Sequence, residues 1–510
     1  MITRRSFVLS AAAFPTIVQA SSIRQSPTID TTVGKLRGSV EGGLQVFRGI
    51  RYGTAERFRA PVAPKRSAQV IDALSFGPSA PQHNDRYKPQ SEDCLFLNVW
   101  TPEARPGADL PVMVYIHGGA YSTGSVVDPL NDGRHLAANG AVVVTVNHRL
   151  SALGYLYLAR LDPRFPDSGN LGQLDLILAL KWIRNNIARF GGDPSRVMVF
   201  GQSGGGAKIA TLMGMPAAAG LFQRAITMSG QQVTASGPLH ATDRARTFLA
   251  KLKATPGDLL GIPVEKLVAA LEATDPIMGG SVYFGPVLDM KWLVRHPFWP
   301  DANPQSNAIP MILGNTHDET RAFIGREKMV GLNWDNLAQR MAPELKVDIL
   351  PEWVVSEYRR LFPAYTPEEV FYAATTAGRS WRGQVEEAEA RARAGAPTWV
   401  YQVNYRSPTE PWRGAPHTMD IALSFGTIDA PGSFTGTGAD ARAASAAMMR
   451  SFAAFSATGD PNHSGVPSWP MYRLPQRSTM IFDALPRIEN DPRRKQRELF
   501  ARVPYIQPGT

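Results

Sequence analysis

VMVFGQSGGGAKIATLM, residues 197–213, runs four apolar residues into a glycine-rich turn and then resumes a helix-like pattern. Ser203, with Gly201 and Gly205 two residues to either side, fits G-x-S-x-G, a sharp strand-to-helix turn that holds a serine hydroxyl outward. Such a turn strains the serine backbone, and a side chain at Gly201 or Gly205 would collide with the neighbouring strand or helix. Alone the pentapeptide is weak. A chain with 45 glycines produces such patterns by chance, and an ordinary Gly-rich loop reads the same.

The surrounding pattern supplies context. Continuous apolar runs recur at Leu110 to Ile116, Ala141 to Val146, Val197 to Phe200 and Ile309 to Leu313, as expected for strands covered on both faces. Between the second and third, GNLGQLDLILALKWIRNNIARFGG places Leu174, Ile177, Leu178 and Ile183 at helical spacing, with Gly191 as a stop. The order strand, helix, strand, elbow, helix predicts an α/β fold with a mostly parallel central sheet, helices on both faces, and a site at the carboxyl ends of the strands. No repeat or linker divides the chain. APGSFTGTGADARA, residues 430–443, reads as a mobile loop within a continuing pattern.

A serine hydroxyl is a poor nucleophile at neutral pH and needs a base, usually a histidine oriented by a carboxylate. In the chain order serine, acid, histidine that accompanies this elbow, the base is one of His240, His296, His317, His417 and His463. Ile309 to Leu313 empties into GNTHDET, which offers Asp318 and Glu319; spacing alone does not separate the two. Thr398 to Tyr405 reads as a further strand, followed by the turn-rich RSPTEPWRGAPH that ends at His417. His117-Gly118-Gly119, after the strand from Leu110 to Ile116, offers backbone N–H groups to a substrate oxygen.

Several ordered motifs now stand together: SEDCLFLNVW (91–100), YIHGGAY (115–121), FGGDPSRVMVFGQSGG (190–205), GNTHDET (314–320), GAPHTMD (414–420), GDPN (459–462) and SWPMY (468–472). In these the chain resembles the type-B carboxylesterases, the α/β-hydrolase family that also holds the cholinesterases and the non-catalytic neuroligins. The resemblance implies hydrolysis of small-molecule carboxylic esters without metal or organic cofactor. It implies Ser203 as nucleophile, Glu319 as acid, His417 as base, and Gly118, Gly119 and Gly204 as oxyanion donors. Ser229, in ITMSG, resembles a family serine that supports the acid through a hydrogen bond; an ordinary buried serine reads equally well. The complete set of groups favours an enzyme over a binding module on the same fold; an acyltransferase or amidase is the other alternative.

The departures from the family pattern bear on substrate. The family commonly has Glu-Ser-Ala where this chain has Gln202-Ser203-Gly204, so a neutral amide precedes the serine. The loop HNDRYKPQ, residues 83–90, has no tryptophan to act as a platform for quaternary ammonium. Both point to neutral or anionic esters. Lys208 stands where the family tends to have a small polar residue. It reads as a buried lysine reaching a local carbonyl, or as a group touching substrate.

Composition excludes other classes. A 44% apolar and 19% charged chain buries a large core, and the net charge of +10 is scattered rather than gathered in a stripe, which argues against nucleic-acid binding. The one dense basic run, DPRRKQRELF at 491–500, reads as the solvated face of a helix. Cys94 is the only cysteine, so an intrachain disulfide is impossible and a buried structural thiol is expected. Residues 1–20 read as an export signal: Arg4 and Arg5, a short apolar stretch from Phe7 to Val18, then Val18-Gln19-Ala20 for cleavage. The paired arginines resemble a twin-arginine signal, with an ordinary secretory signal as the alternative. The apolar stretch is too short to span a membrane. The expected product is a periplasmic or secreted domain of residues 21–510.

Overall fold

The computed structural model describes residues 24–83, 85–507 and 509. The export segment therefore lies outside the described residues. Eleven strands form one sheet: β1 (Ser39–Glu41), β2 (Leu44–Arg51), β3 (Phe96–Thr101), β4 (Leu110–Ile116), β5 (Val142–Val146), β6 (Gly192–Gln202), β7 (Arg224–Met228), β8 (Met311–Thr316), β9 (Thr398–Val403), β10 (Ser478–Phe482) and β11 (Arg487–Asn490). Their order in space is β1-β2-β3-β5-β4-β6-β7-β8-β9-β10-β11. From β5 to β10 every neighbouring pair is parallel, while the pairs at the two flanks are antiparallel. A smaller sheet joins Ile29–Thr31, Gly34–Arg37 and Ile71–Asp72.

The apolar runs are continuous because both faces of the sheet are covered. On β4, Val112, Val114 and Ile116 enter one core cluster while Met113 and Tyr115 enter another; on β6, Val197 and Val199 divide from Met198 and Phe200 in the same way. Alternation of side chains along a strand sends successive residues to opposite layers, and here both layers are apolar. The first layer holds α1 (Leu171–Asn186), in which Leu174, Ile177 and Ile183 pack inward. Gly191 then takes φ +83°, the left-handed conformation that ends the helical stretch before β6. The opposite layer holds α3 (Ala439–Thr458), whose Met448, Phe452 and Phe455 pack beneath the sheet.

Between β8 and β9 the chain leaves the sheet for an excursion of helices, including Pro351–Leu361, Pro367–Thr376 and Arg382–Arg393, with a core of its own around Leu337, Met341, Tyr358 and Phe371. A π-helical turn, Ala377–Trp381, interrupts it. Residues 430–443 are not a loop throughout: residues 439–443 form the first turn of α3, and Thr435 is buried, its hydroxyl donating to the Ile428 carbonyl. The basic run at 491–500 is partly a helix, Arg494–Phe500, but Arg493 is buried over the Trp381 ring at 4.8 Å. Cys94 is fully buried, and burial pushes its thiol far above the ordinary range. Among the described residues no helix is long and apolar enough to cross a membrane.

Candidate active site

Ser203 lies between β6 and α2 (Gly204–Leu212) with φ +56° and ψ −127°, a strained conformation for a residue with a Cβ. Its N–H donates to the Met228 carbonyl at 2.7 Å, which ties the turn to β7. A Cβ built at Gly205 would overlap the carbonyl oxygen of Ile116 at the end of β4, so the tight approach of strand and turn requires glycine there. Gly204 opens α2, where its N–H has no intrahelical acceptor and the positive end of the helix dipole points at the serine.

Glu319 and His417 reach the same edge from loops after β8 and β9. Glu319 is fully buried; its Oε1 accepts from the Ser229 hydroxyl at 2.6 Å, the Thr316 N–H at 2.7 Å and the Asn315 amide at 3.0 Å. Its Oε2 makes a short contact with Nδ1 of His417. Burial pushes the Glu319 carboxyl up, but the His417 contact and the hydrogen bonds from Ser229 and Thr316 outweigh it, so the group lies below the usual carboxylate value. Asp318 points elsewhere, accepting from the Ala415 N–H at 2.9 Å and facing Nδ1 of His317 at 3.1 Å. Those partners overcome its burial and hold it at about 2.

With Nδ1–H given to Glu319, Nε2 of His417 carries the lone pair a general base needs. Its partner in the structure is the Gln202 amide nitrogen, 3.1 Å away, and no hydrogen bond joins it to the Ser203 hydroxyl among the described residues. The structure thus brings Ser203, Glu319 and His417 to one edge, with Gln202 on the base. Behind them Asp420 is fully buried, accepts from the Tyr401 hydroxyl at 3.0 Å, and is pushed up to about 7 by burial and the nearby Glu319 charge.

The loop after β4 faces this edge. Gly118 packs against Gln202 and Ser203, and Gly119 has φ +87° within a turn closed by Thr123 N–H on the Gly119 carbonyl at 2.9 Å. The N–H groups of Gly118 and Gly119 have no partner among the described residues. Lys208, fully buried on α2, donates to the Ala120 carbonyl at 2.7 Å and lies 5.0 Å from the Tyr121 ring centre. It therefore binds local carbonyls of this loop, the first of the two readings open from sequence. Among the described residues no carboxylate pairs with it, and burial lowers it to about 7.

Three neighbours escaped sequence reading. Phe323, 46% exposed, ends the 3-10 turn Glu319–Ala322 and sets its ring 4.8 Å from the His417 ring. Its position four residues after Glu319 is the one signal that would have found it. Arg379 stacks on Phe323, and Asp420 sits three residues after His417, near enough to be searched for. A cavity of about 290 Å³ opens beside Gly118, Gly119 and Gln202, lined also by Tyr87, Asp128 and Phe434. The Asp128 carboxylate there accepts from the Tyr87 hydroxyl at 2.7 Å and pairs with Arg86 at 3.0 Å.

A parallel-centred sheet, a strained serine after its middle strand, and an acid and histidine after two later strands together define an α/β-hydrolase. The chain belongs to the carboxylesterase family, which it matches over residues 25–500. It is 34% identical to the para-nitrobenzyl esterase of Bacillus subtilis (strain 168) over 92% of this chain and 97% of that one. Carboxylesterase 3B of Mus musculus is 30% identical, over 90% and 87%. The crystal structure of a carboxylesterase from Geobacillus stearothermophilus superposes with a TM-score of 0.82 at 32% identity, covering 93% of this chain and 99% of that one. The activity of this chain is carboxylic ester hydrolysis.

Proposed function

We propose that this hydrolysis runs through an acyl-enzyme on Ser203. His417 takes the Ser203 proton as the hydroxyl attacks the ester carbonyl and returns it to the departing alcohol; water then repeats the sequence on the acyl group. Glu319 fixes the imidazole tautomer and stabilises the imidazolium, and Ser229 holds Glu319 through its hydrogen bond. The N–H groups of Gly118, Gly119 and Gly204 receive the developing oxyanion, each worth about 2.7 to 4 kcal/mol in the transition state. The observation that carries this reading is the contact of His417 with Glu319 beside the strained Ser203. Gln202 must leave Nε2 for the serine to use it. Ser203→Ala tests the assignment: loss of turnover and of covalent labelling by an organophosphonate is expected, and retained labelling would refute it.

Neutral or anionic esters are the proposed substrates. Gln202 offers no charge to a cationic alcohol, and Asp128 in the adjacent cavity is already paired with Arg86. The test is the ratio of kcat/KM for acetylcholine to that for the isostere with carbon in place of nitrogen. A ratio near one is expected, and one well above ten refutes the preference. The reading of residues 1–20 as a twin-arginine export signal, with a periplasmic or secreted destination for residues 21–510, is proposed on the paired arginines Arg4 and Arg5.

A further inference from the structure

Arg379 lies within the π-helical turn Ala377–Trp381, a rare conformation that recurs where a helix is adapted to a site. Its guanidinium sits over the Phe323 ring at 4.8 Å, and Phe323 in turn sits 4.8 Å from the His417 ring, so two ring-sized steps join the cation to the base. No hydrogen bond or ion pair to Arg379 is found among the described residues. The two carboxylates that feel its charge are committed elsewhere, Glu319 to His417 and Glu344 to Lys328 at 2.8 Å. Tyr283 and Tyr505 are also near enough to act on its charge. Arg379 is partly buried, and burial lowers its pKa, the sign of a charge held against its own desolvation.

An arginine fork held over an aromatic ring, with no acceptor of its own among the described residues, has its donors free to take an anion. Phe323 is 46% exposed, and its ring lies against both the guanidinium and the His417 ring. We propose that Arg379 binds a free carboxylate on the substrate, so that the preferred esters are those of compounds bearing a second, unesterified carboxyl group. The ester carbonyl then rests at Ser203 while the carboxylate reaches past Phe323 to the guanidinium. This rests on the assignment of Ser203 and His417 above and narrows the neutral-or-anionic preference to its anionic half. The carboxylate can belong to the acid or to the alcohol of the ester, and the chemistry of recognition is the same.

The test uses two matched pairs with the full mature chain. For the acid side these are the mono-p-nitrophenyl ester of adipic acid and its terminal carboxamide; for the alcohol side, the acetate esters of 4-hydroxybenzoate and 4-hydroxybenzamide. Wild type is expected to favour the carboxylate in at least one pair. Arg379→Met should lower kcat/KM for that carboxylate about tenfold or more while leaving the matched amide within about twofold, and Arg379→Lys should keep part of the preference. Turnover of the amide esters shows that each variant is folded. Equal loss on both members of a pair, or no carboxylate advantage in either pair, overturns the proposal. If no ester is cleaved faster than by Ser203→Ala, the assignment of the reacting serine falls as well, a result distinct from a lost preference.

Discussion

The amide nitrogen of Gln202 lies 3.1 Å from Nε2 of His417, the nitrogen that accepts the Ser203 proton in the proposed mechanism. Gln202→Glu would set a carboxylate in that contact and favour the imidazolium. The acid limb of the kcat/KM profile should then move to higher pH by about one unit or more, since an opposite charge at this range favours the protonated base. A pH–rate series on both proteins measures it, and an unmoved limb would show that residue 202 does not act on the base in the free enzyme.

Glu319 and Asp318 are neighbours in sequence but point to different partners, Glu319 to His417 and Asp318 to Ala415 and His317. Glu319→Gln should lower kcat by about four orders of magnitude, through loss of the correct imidazole tautomer. Asp318→Asn should cost less than about tenfold, because the contacts it weakens, to Ala415, His317 and Arg321, point away from His417. Steady-state kinetics of the two variants decides between them.

Lys208 is tied to the Ala120 carbonyl beside the proposed oxyanion donors. Lys208→Met should lower kcat by about tenfold to a hundredfold through a loosened loop, with a smaller effect on KM. Its effect on stability carries a sign. The folded chain releases this proton at about 7 and an unfolded lysine holds it to 10.5. Between those values the unfolded state binds more protons, so the Lys208 contribution grows more favourable as pH rises through that window. Below about pH 7 the cost of the buried ammonium is present in full. Melting temperatures at pH 6 and pH 9 should show wild type gaining on Lys208→Met at the higher pH.

Replacing Arg4 and Arg5 by lysine should hold the precursor on the cytoplasmic side if the twin-arginine route is used. Fractionation with an intact-mass measurement reads both location and cleavage, with Ser21 as the expected first residue. Normal export of the variant would indicate the ordinary secretory route.

The central strands and the turn at Ser203 were legible because their constraints are local. Apolar runs follow from burial on two faces, and Gly205 follows from the closeness of Ile116. The choice between Asp318 and Glu319 was not legible from spacing, since adjacent residues entering a 3-10 turn point to different sides. Family resemblance supplied that choice. Gln202 was legible as a missing charge but not as a partner of His417, a contact spanning 215 residues of chain. Phe323 and Arg379 depend on how the helical excursion folds back over the site, which no periodicity in either segment announces. Of the stretch 430–443, only 439–443 departs from a loop, because Ala441 opens a helix face that Ala444 and Ala447 continue against the sheet, and small residues do not announce that face in sequence.

The excursion between β8 and β9 begins just after Glu319 and returns before the strand that leads to His417, and those two strands are direct neighbours in the sheet. It is a cassette inserted into a frame. Strand register sets Glu319 and His417, the proposed proton-transfer groups, side by side, while Phe323 and Arg379, which meet the substrate in the proposed arrangement, belong to the cassette. Selection for a new ester can therefore act by drift within residues 323–393 alone. A library confined to that interval should yield enzymes that differ in which ester they cleave and share one catalytic engine.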